Sequence, residues 1–136
     1  MGEPPGPVPA PPKKILLVED NPDISESVEV TLRLHRFHVS LIAQGSLVKD
    51  HVLNDRPDLI LMDVLIPKPN GYEVCRDLKS DERTKDIPII LLSAKTQRHE
   101  IETGFRSGAD RYMTKPFRNE ELLQTIASLL EEKKGA

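Results

Sequence analysis

The sequence predicts an α/β fold: a doubly wound, five-stranded parallel sheet with helices on both faces. Three observations carry this. Apolar runs recur at Ile15–Val18, Leu59–Met62 and Ile87–Leu92, as strands buried on both faces require. Stretches with apolar residues at helical spacing lie between them. Two of the runs end in acids, Glu19-Asp20 and Asp63, and open α/β sheets collect their chemistry at the carboxyl ends of strands.

Composition bounds the rest. A chain of 136 residues suffices for one domain with a core. Its net charge is −3 and it has no basic block, which argues against a direct nucleic-acid surface. No apolar run approaches the ~20 residues of a membrane span. The N-terminus has no signal-peptide pattern. The single Cys75 excludes an internal disulfide and suits a reducing cytoplasm, the expected location. His35, His38, His51 and His99 lack a metal spacing with cysteine and read as surface or rim residues.

In chain order, residues 1–12 hold six of the twelve prolines and read as a flexible tail, partly polyproline-II. The domain is expected over 13–136. Ile15–Val18 is the first strand. Asn21-Pro22 then opens a helix with proline near its first position. Ile24, Val28 and Leu32, together with Val30 and Leu34, are read as its apolar face. Phe37–Ala43 is the second strand. A loop at Gln44-Gly45 leads to a short helix through Leu47, Val48, Val52 and Leu53, closed by Arg56-Pro57. The third strand, Leu59–Met62, runs from Asp58 to Asp63. Pro67, Pro69 and Gly71 make a stiff loop before a helix with Tyr72, Val74, Cys75 and Leu78 on its inner side. Ile87–Leu92 is the fourth strand, ending at Ser93, with Pro88 near its start. A helix over about 98–107 pairs Ile101 with Phe105 and stops at Gly108. Arg111–Thr114 is the fifth strand, ending at Lys115-Pro116. The last helix covers 120–132 through Leu122, Leu123, Ile126, Leu129 and Leu130.

Five βα units with right-handed crossovers leave few windings; the expected strand order is 2-1-3-4-5, flavodoxin-like. That order brings Glu19, Asp20 and Asp63 to one crevice, with Ser93 and Lys115 on the same rim. Three carboxylates together call for a cation, and oxygen-only ligands suit Mg²⁺ better than zinc. A metal, a lysine and a hydroxyl can hold a dianionic phosphoryl group, and an Asp carboxylate is a competent nucleophile toward phosphorus. Each residue also has a plainer reading. Asp20 and Asn21 could cap the first helix, Lys115 could be a solvated lysine, and Ser93 an ordinary strand end.

With these motifs in view, the chain resembles the receiver domain of two-component response regulators, of the chemotaxis-receiver kind. The resemblance covers about 13–132. It rests on Leu16-Leu17-Val18-Glu19-Asp20-Asn21, on Leu61-Met62-Asp63-Val64 with Pro67 and Gly71, on Ile87 through Ala94, and on Gly108 through Phe117. It implies that Asp63 accepts a phosphoryl group from the phosphohistidine of a sensor histidine kinase or phosphotransfer protein. It implies Mg²⁺ bound by Asp20, Asp63 and the Leu65 backbone carbonyl, with Glu19 acting through water. It implies Lys115 as the phosphoryl partner, Ser93 as the switching hydroxyl, Tyr112 as the switching aromatic, and a cis Lys115-Pro116 peptide. The responding surface is expected on the fourth helix, fifth strand and fifth helix, acting on a downstream protein effector. Leu65 and Lys95, two positions after the acceptor and the switch hydroxyl, are expected to flank the water that removes the phosphoryl group. Such a protein is a phosphoacceptor switch rather than an enzyme on a separate substrate. If the chain stops at Ala136, output is expected through a protein contact.

Departures from the family pattern are few. Arg36 stands where glycine is usual, so the first helix is expected to end without its left-handed cap. The loop after Ala43 is one residue short. Arg111 and Thr125 replace the acid and the arginine usual in the DNA-binding subfamily that dimerises through the last helix-strand-helix face, so that dimer is not carried over. A metal-dependent aspartyl phosphatase would need an acid two residues after the nucleophile, where Leu65 stands. A flavin binder would need a glycine- and hydroxyl-rich loop after the first strand, where Glu-Asp-Asn-Pro-Asp would repel phosphate.

Overall fold

A computed structural model describes residues 11–135, with side chains to Glu132. The expected 1–12 tail falls mostly outside these residues. Each of the five expected strands forms: β1 (Lys14–Val18), β2 (His38–Ile42), β3 (Leu59–Asp63), β4 (Ile89–Ser93) and β5 (Arg111–Thr114). All pairings are parallel and the order is β2-β1-β3-β4-β5, as expected. The connections carry α1 (Pro22–Leu34), α2 (Val48–Asn54), α3 (Gly71–Ser80), α4 (Arg98–Arg106) and, after β5, α5 (Asn119–Gly135). A 3-10 turn at Gly45–Leu47 precedes α2. Among the described residues, no helix is long and apolar enough to cross a membrane.

Side chains alternate across the sheet, so each strand feeds two cores. Leu16, Val18, Ile60, Met62, Ile89 and Leu91 pack with Val52 of α2 and Val74, Cys75 and Leu78 of α3. Ile15, Leu17, Leu59, Leu61, Ile90 and Leu92 pack with Val28 and Leu32 of α1 and Leu122, Ile126 and Leu129 of α5. Burial on both faces explains why β1, β3 and β4 read as unbroken apolar runs.

The helix faces are narrower than expected. Val30 and Leu34 of α1 are 57% and 75% exposed. At 3.6 residues per turn, a position two residues beyond Val28 or Leu32 points almost oppositely, so the two pairs cannot share a face. Leu47, Leu53 and Phe105 also lie exposed. Around α4 the buried position is Gly104 rather than the Ile101–Phe105 pair. β4 begins at Ile89, because Pro88 has no N–H to give the ladder.

The end of α1 corrects another expectation. Arg36 itself adopts the left-handed conformation, with φ 67°. Its N–H donates to Arg33 O at 3.0 Å and the Phe37 N–H donates to Leu32 O at 3.1 Å. These are the two bonds of a Schellman cap. The chain must leave α1 and enter β2 within three residues, and the cap closes that turn whether or not glycine is present. At the start of α3, Asn70 and Glu73 form a reciprocal capping box that sequence reading did not identify. Lys115-Pro116 is cis, as the resemblance implied, and Lys68-Pro69 is cis as well.

Candidate functional site

The site grows from the register of β1 and β3. Val18 lies opposite Met62, so the next residues, Glu19 and Asp63, leave the sheet side by side. Glu19 is buried; its N–H donates to Ile42 O at 3.0 Å, and its Oε2 accepts from the Asn21 N–H at 3.3 Å. Asn21 caps α1 by accepting from the Asp23 N–H at 3.0 Å, which leaves Asp20 exposed at the rim. Asp63 is the buried last residue of β3. Gly71 packs against it: a Cβ there would meet Asp63 O at 2.5 Å. That close approach is the reason for glycine at the head of α3.

Carboxylate oxygens of Glu19, Asp20 and Asp63 lie within 4.8 Å of one another. Lys115, following β5, is positioned by its N–H on Ser93 O at 2.8 Å. Its Nζ donates to Glu19 Oε1 at 2.7 Å and to Asp63 Oδ2 at 3.0 Å. Burial opposes the ammonium, but the hydrogen bonds to Glu19 and Asp63 outweigh it and raise the Lys115 pKa. Burial pushes the Glu19 pKa up; Lys115 opposes this and the Asp63 charge adds to it. The cluster therefore holds more negative charge than one lysine comfortably balances. An all-oxygen donor set with surplus negative charge fits a hard divalent cation.

The other expected residues surround this centre. The Leu65 backbone N–H donates to Asp63 Oδ1 at 3.1 Å, while its side chain is exposed. Ser93 is fully buried, one residue beyond Leu92, the register partner of Asp63. Its Oγ accepts from the Lys95 N–H at 3.0 Å. The Lys95 ammonium lies 3.5 Å from Glu100 Oε2 of α4. The Tyr112 hydroxyl donates to Lys95 O at 3.0 Å. Glu19, Asp20, Asp63 and Lys115 thus form one cluster, and Ser93, Lys95 and Tyr112 form a chain of contacts along its β4–β5 side.

Several contacts around the site had no signal in the sequence. Tyr72, read as an inner-face residue of α3, places its hydroxyl near Tyr112 and Glu100. Gly104 leaves space for the Tyr112 ring; a Cβ there would meet Cδ2 at 2.7 Å. Asp110 Oδ2 accepts from the Ile89 N–H at 2.8 Å and from Lys79 Nζ at 2.9 Å, tying α3 to the start of β4. Arg111 pairs with Glu132 of α5 at 2.7 Å.

Comparison with known proteins bears on the family. The family model for the response regulator receiver domain matches residues 15–127. The DNA-binding dual master transcriptional regulator RpaA of Synechocystis is 40% identical over 117 residues, covering 86% of this chain and 48% of that protein. The DNA-binding response regulator MtrA of Mycolicibacterium smegmatis is 38% identical over 118 residues, covering 87% and 50%. The chain spans about half the length of the curated relatives it matches. Among solved structures, the receiver domain of the sensor histidine kinase PA1611 from Pseudomonas aeruginosa carries a magnesium ion coordinated in its active-site cleft. It aligns with TM-score 0.82 and 32% identity, over 88% of this chain and 98% of that one. Matching strand order, an acidic cluster at the β1–β3 crevice and a family model over nearly the whole described fold agree: the chain belongs to the response regulator receiver domains of two-component systems.

Proposed function

We propose that this receiver is a phosphorylation-dependent switch with Asp63 as its phosphoacceptor. The observation that carries the reading is the Lys115 ammonium, held between Glu19 and Asp63 at converging strand ends. The donor is the phosphohistidine of a sensor histidine kinase or phosphotransfer protein. Its N–P bond breaks as an Asp63 carboxylate oxygen bonds to phosphorus; the imidazole leaves with the electron pair and takes up a proton. Asp20, Asp63 and the Leu65 carbonyl would hold Mg²⁺, with Glu19 acting through water. When bound, Mg²⁺ supplies charge neutralisation on the phosphoryl oxygens. Lys115 exchanges its bond to Asp63 for one to a phosphoryl oxygen, and the Ser93 hydroxyl donates to another. The chain acts on its own side chain, catalysing only its own phosphoryl transfer and self-dephosphorylation.

The response follows from the contact chain. Ser93 Oγ turning to the phosphoryl group releases the Lys95 N–H, and Lys95 also supplies the carbonyl that holds Tyr112. The surface that changes is α4, β5 and α5, read by a downstream protein or an attached effector. RpaA and MtrA are named as DNA-binding. In this chain the net charge of −3 without a basic block argues against such a contact by the receiver itself.

Acetyl phosphate with Mg²⁺ tests the reading. Intact mass should show one added phosphoryl group on the wild type and none on Asp63→Asn. Equal labelling of the Asn variant sinks the assignment.

A further inference from the structure

The first turn of α4 has little to hold it. Gln97, at its N-cap position, makes no side-chain cap bond, and the buried residue of the helix is Gly104. The Tyr72 hydroxyl reaches this turn from α3, beside the Lys95 ammonium 3.5 Å from Glu100 Oε2. It donates to Glu100 O at 3.0 Å, with Glu100 Oε2 at 3.3 Å and the Tyr112 hydroxyl at 3.5 Å. Tyr112 spends its own proton on Lys95 O and Tyr72 spends its one proton on Glu100 O, so the two hydroxyls lie 3.5 Å apart without a proton to share. Burial, and then the neighbouring Tyr112 hydroxyl, push the Tyr72 pKa up, so the phenol keeps its proton.

Tyr72 is also tied to the acceptor. It follows Gly71, whose N–H donates to Val64 O at 2.9 Å and whose Cα packs on the Asp63 carbonyl. The Asn70–Glu73 capping box fixes that end of α3. One hydroxyl therefore joins the strand end bearing Asp63 to the first turn of α4, beside Tyr112, by a route that does not pass through Ser93.

We propose that Tyr72 is a positioning residue of the switch: its hydroxyl latches the first turn of α4, next to the Lys95 carbonyl that holds Tyr112, in the arrangement present before phosphorylation. The inference rests on the reading of Tyr112 as the switching aromatic. Removing the hydroxyl should move the chain toward its phosphorylated arrangement while leaving the chemistry at Asp63 intact.

The chain has only two tyrosines, so 3-fluorotyrosine gives one ¹⁹F resonance each for Tyr72 and Tyr112. In wild type the Tyr112 resonance should move on phosphorylation. In Tyr72→Phe, which keeps the ring, it should already lie displaced toward that position before any phosphodonor is added. The two-state ratio should change about threefold to tenfold, the range for one lost hydrogen bond. Amide exchange over residues 98–106 should rise by a similar factor, and acetyl phosphate should still add one phosphoryl group. An unmoved Tyr112 resonance, or unchanged exchange in α4, overturns the inference. A wild-type Tyr112 resonance indifferent to phosphorylation overturns the reading of Tyr112 itself, and the inference with it.

Discussion

Replacing Lys115 by methionine tests the charge balance on which the site depends. The lysine side chain is 15% exposed and bridges Glu19 and Asp63, whose side chains are 1% and 10% exposed. Methionine fills the space of the alkyl stem and supplies no cation. Removing one partner of a buried pair costs about 3–5 kcal/mol, because the remaining charge stays in a poor environment. Here the crevice opens at Asp20, and Glu19 can relieve the repulsion by taking up a proton. A loss of about 2–3 kcal/mol at pH 7 without divalent cations is expected, or roughly 8–12 °C in melting temperature for a domain of this size. The sign with pH follows from Glu19. Its folded pKa is already raised above the ordinary 4.5, and losing Lys115 raises it further. Above about 4.5 the unfolded chain releases this proton first, so stability falls as pH rises through that value toward the folded pKa. The loss should be small near pH 4 and full at neutral pH. Mg²⁺ should stabilise both proteins by mass action, by about 2.7 kcal/mol at a hundredfold excess over the Kd of each, a gain in the variant as large as the loss. Urea denaturation of wild type and variant at pH 4 and pH 7, with EDTA or with Mg²⁺, measures all three effects. A loss under about 0.5 kcal/mol at pH 7, or one that grows toward pH 4, refutes the reasoning.

Leu65, 56% exposed beside the Asp63 carboxylate, offers no group to orient an attacking water. Leu65→Asn should shorten the phosphorylated half-life about tenfold, equivalent to ~1.4 kcal/mol of barrier, when decay is followed after the phosphodonor is removed. Equal half-lives would mean Leu65 does not gate the water. Arg36→Gly should stabilise the fold by about 0.5–1 kcal/mol in urea, since glycine takes the φ of 67° without steric cost. A destabilised variant would show that the Arg36 side chain contributes more than its backbone strain costs. Beryllofluoride with Mg²⁺ should concentrate amide shift changes in 95–105 and 111–123. Changes confined to α2 and α3 would contradict the proposed responding surface.

What the sequence determined is whatever one element can record along its own length. Ile15–Val18, Leu59–Met62 and Ile87–Leu92 have no polar position, so they fit a sheet covered on both faces; that, with right-handed crossovers, nearly fixes the winding. The winding alone then puts Glu19, Asp20 and Asp63 at one crevice. The azimuth of a helix is recorded less firmly, and the excess apolar residues Val30 and Leu34 made the face of α1 look wider than it is. Arg36 shows the limit at a turn. Residue type argued against a left-handed cap, yet the short path from α1 to β2 imposes one. Which side chains bond across elements within that frame was decided by tertiary structure. Tyr72 and Tyr112 lie 40 positions apart, and Lys115 reaches Glu19 across 96. Such meetings depend on strand register and on how α3 and α4 sit against the sheet, and no local pattern of residue types encodes either.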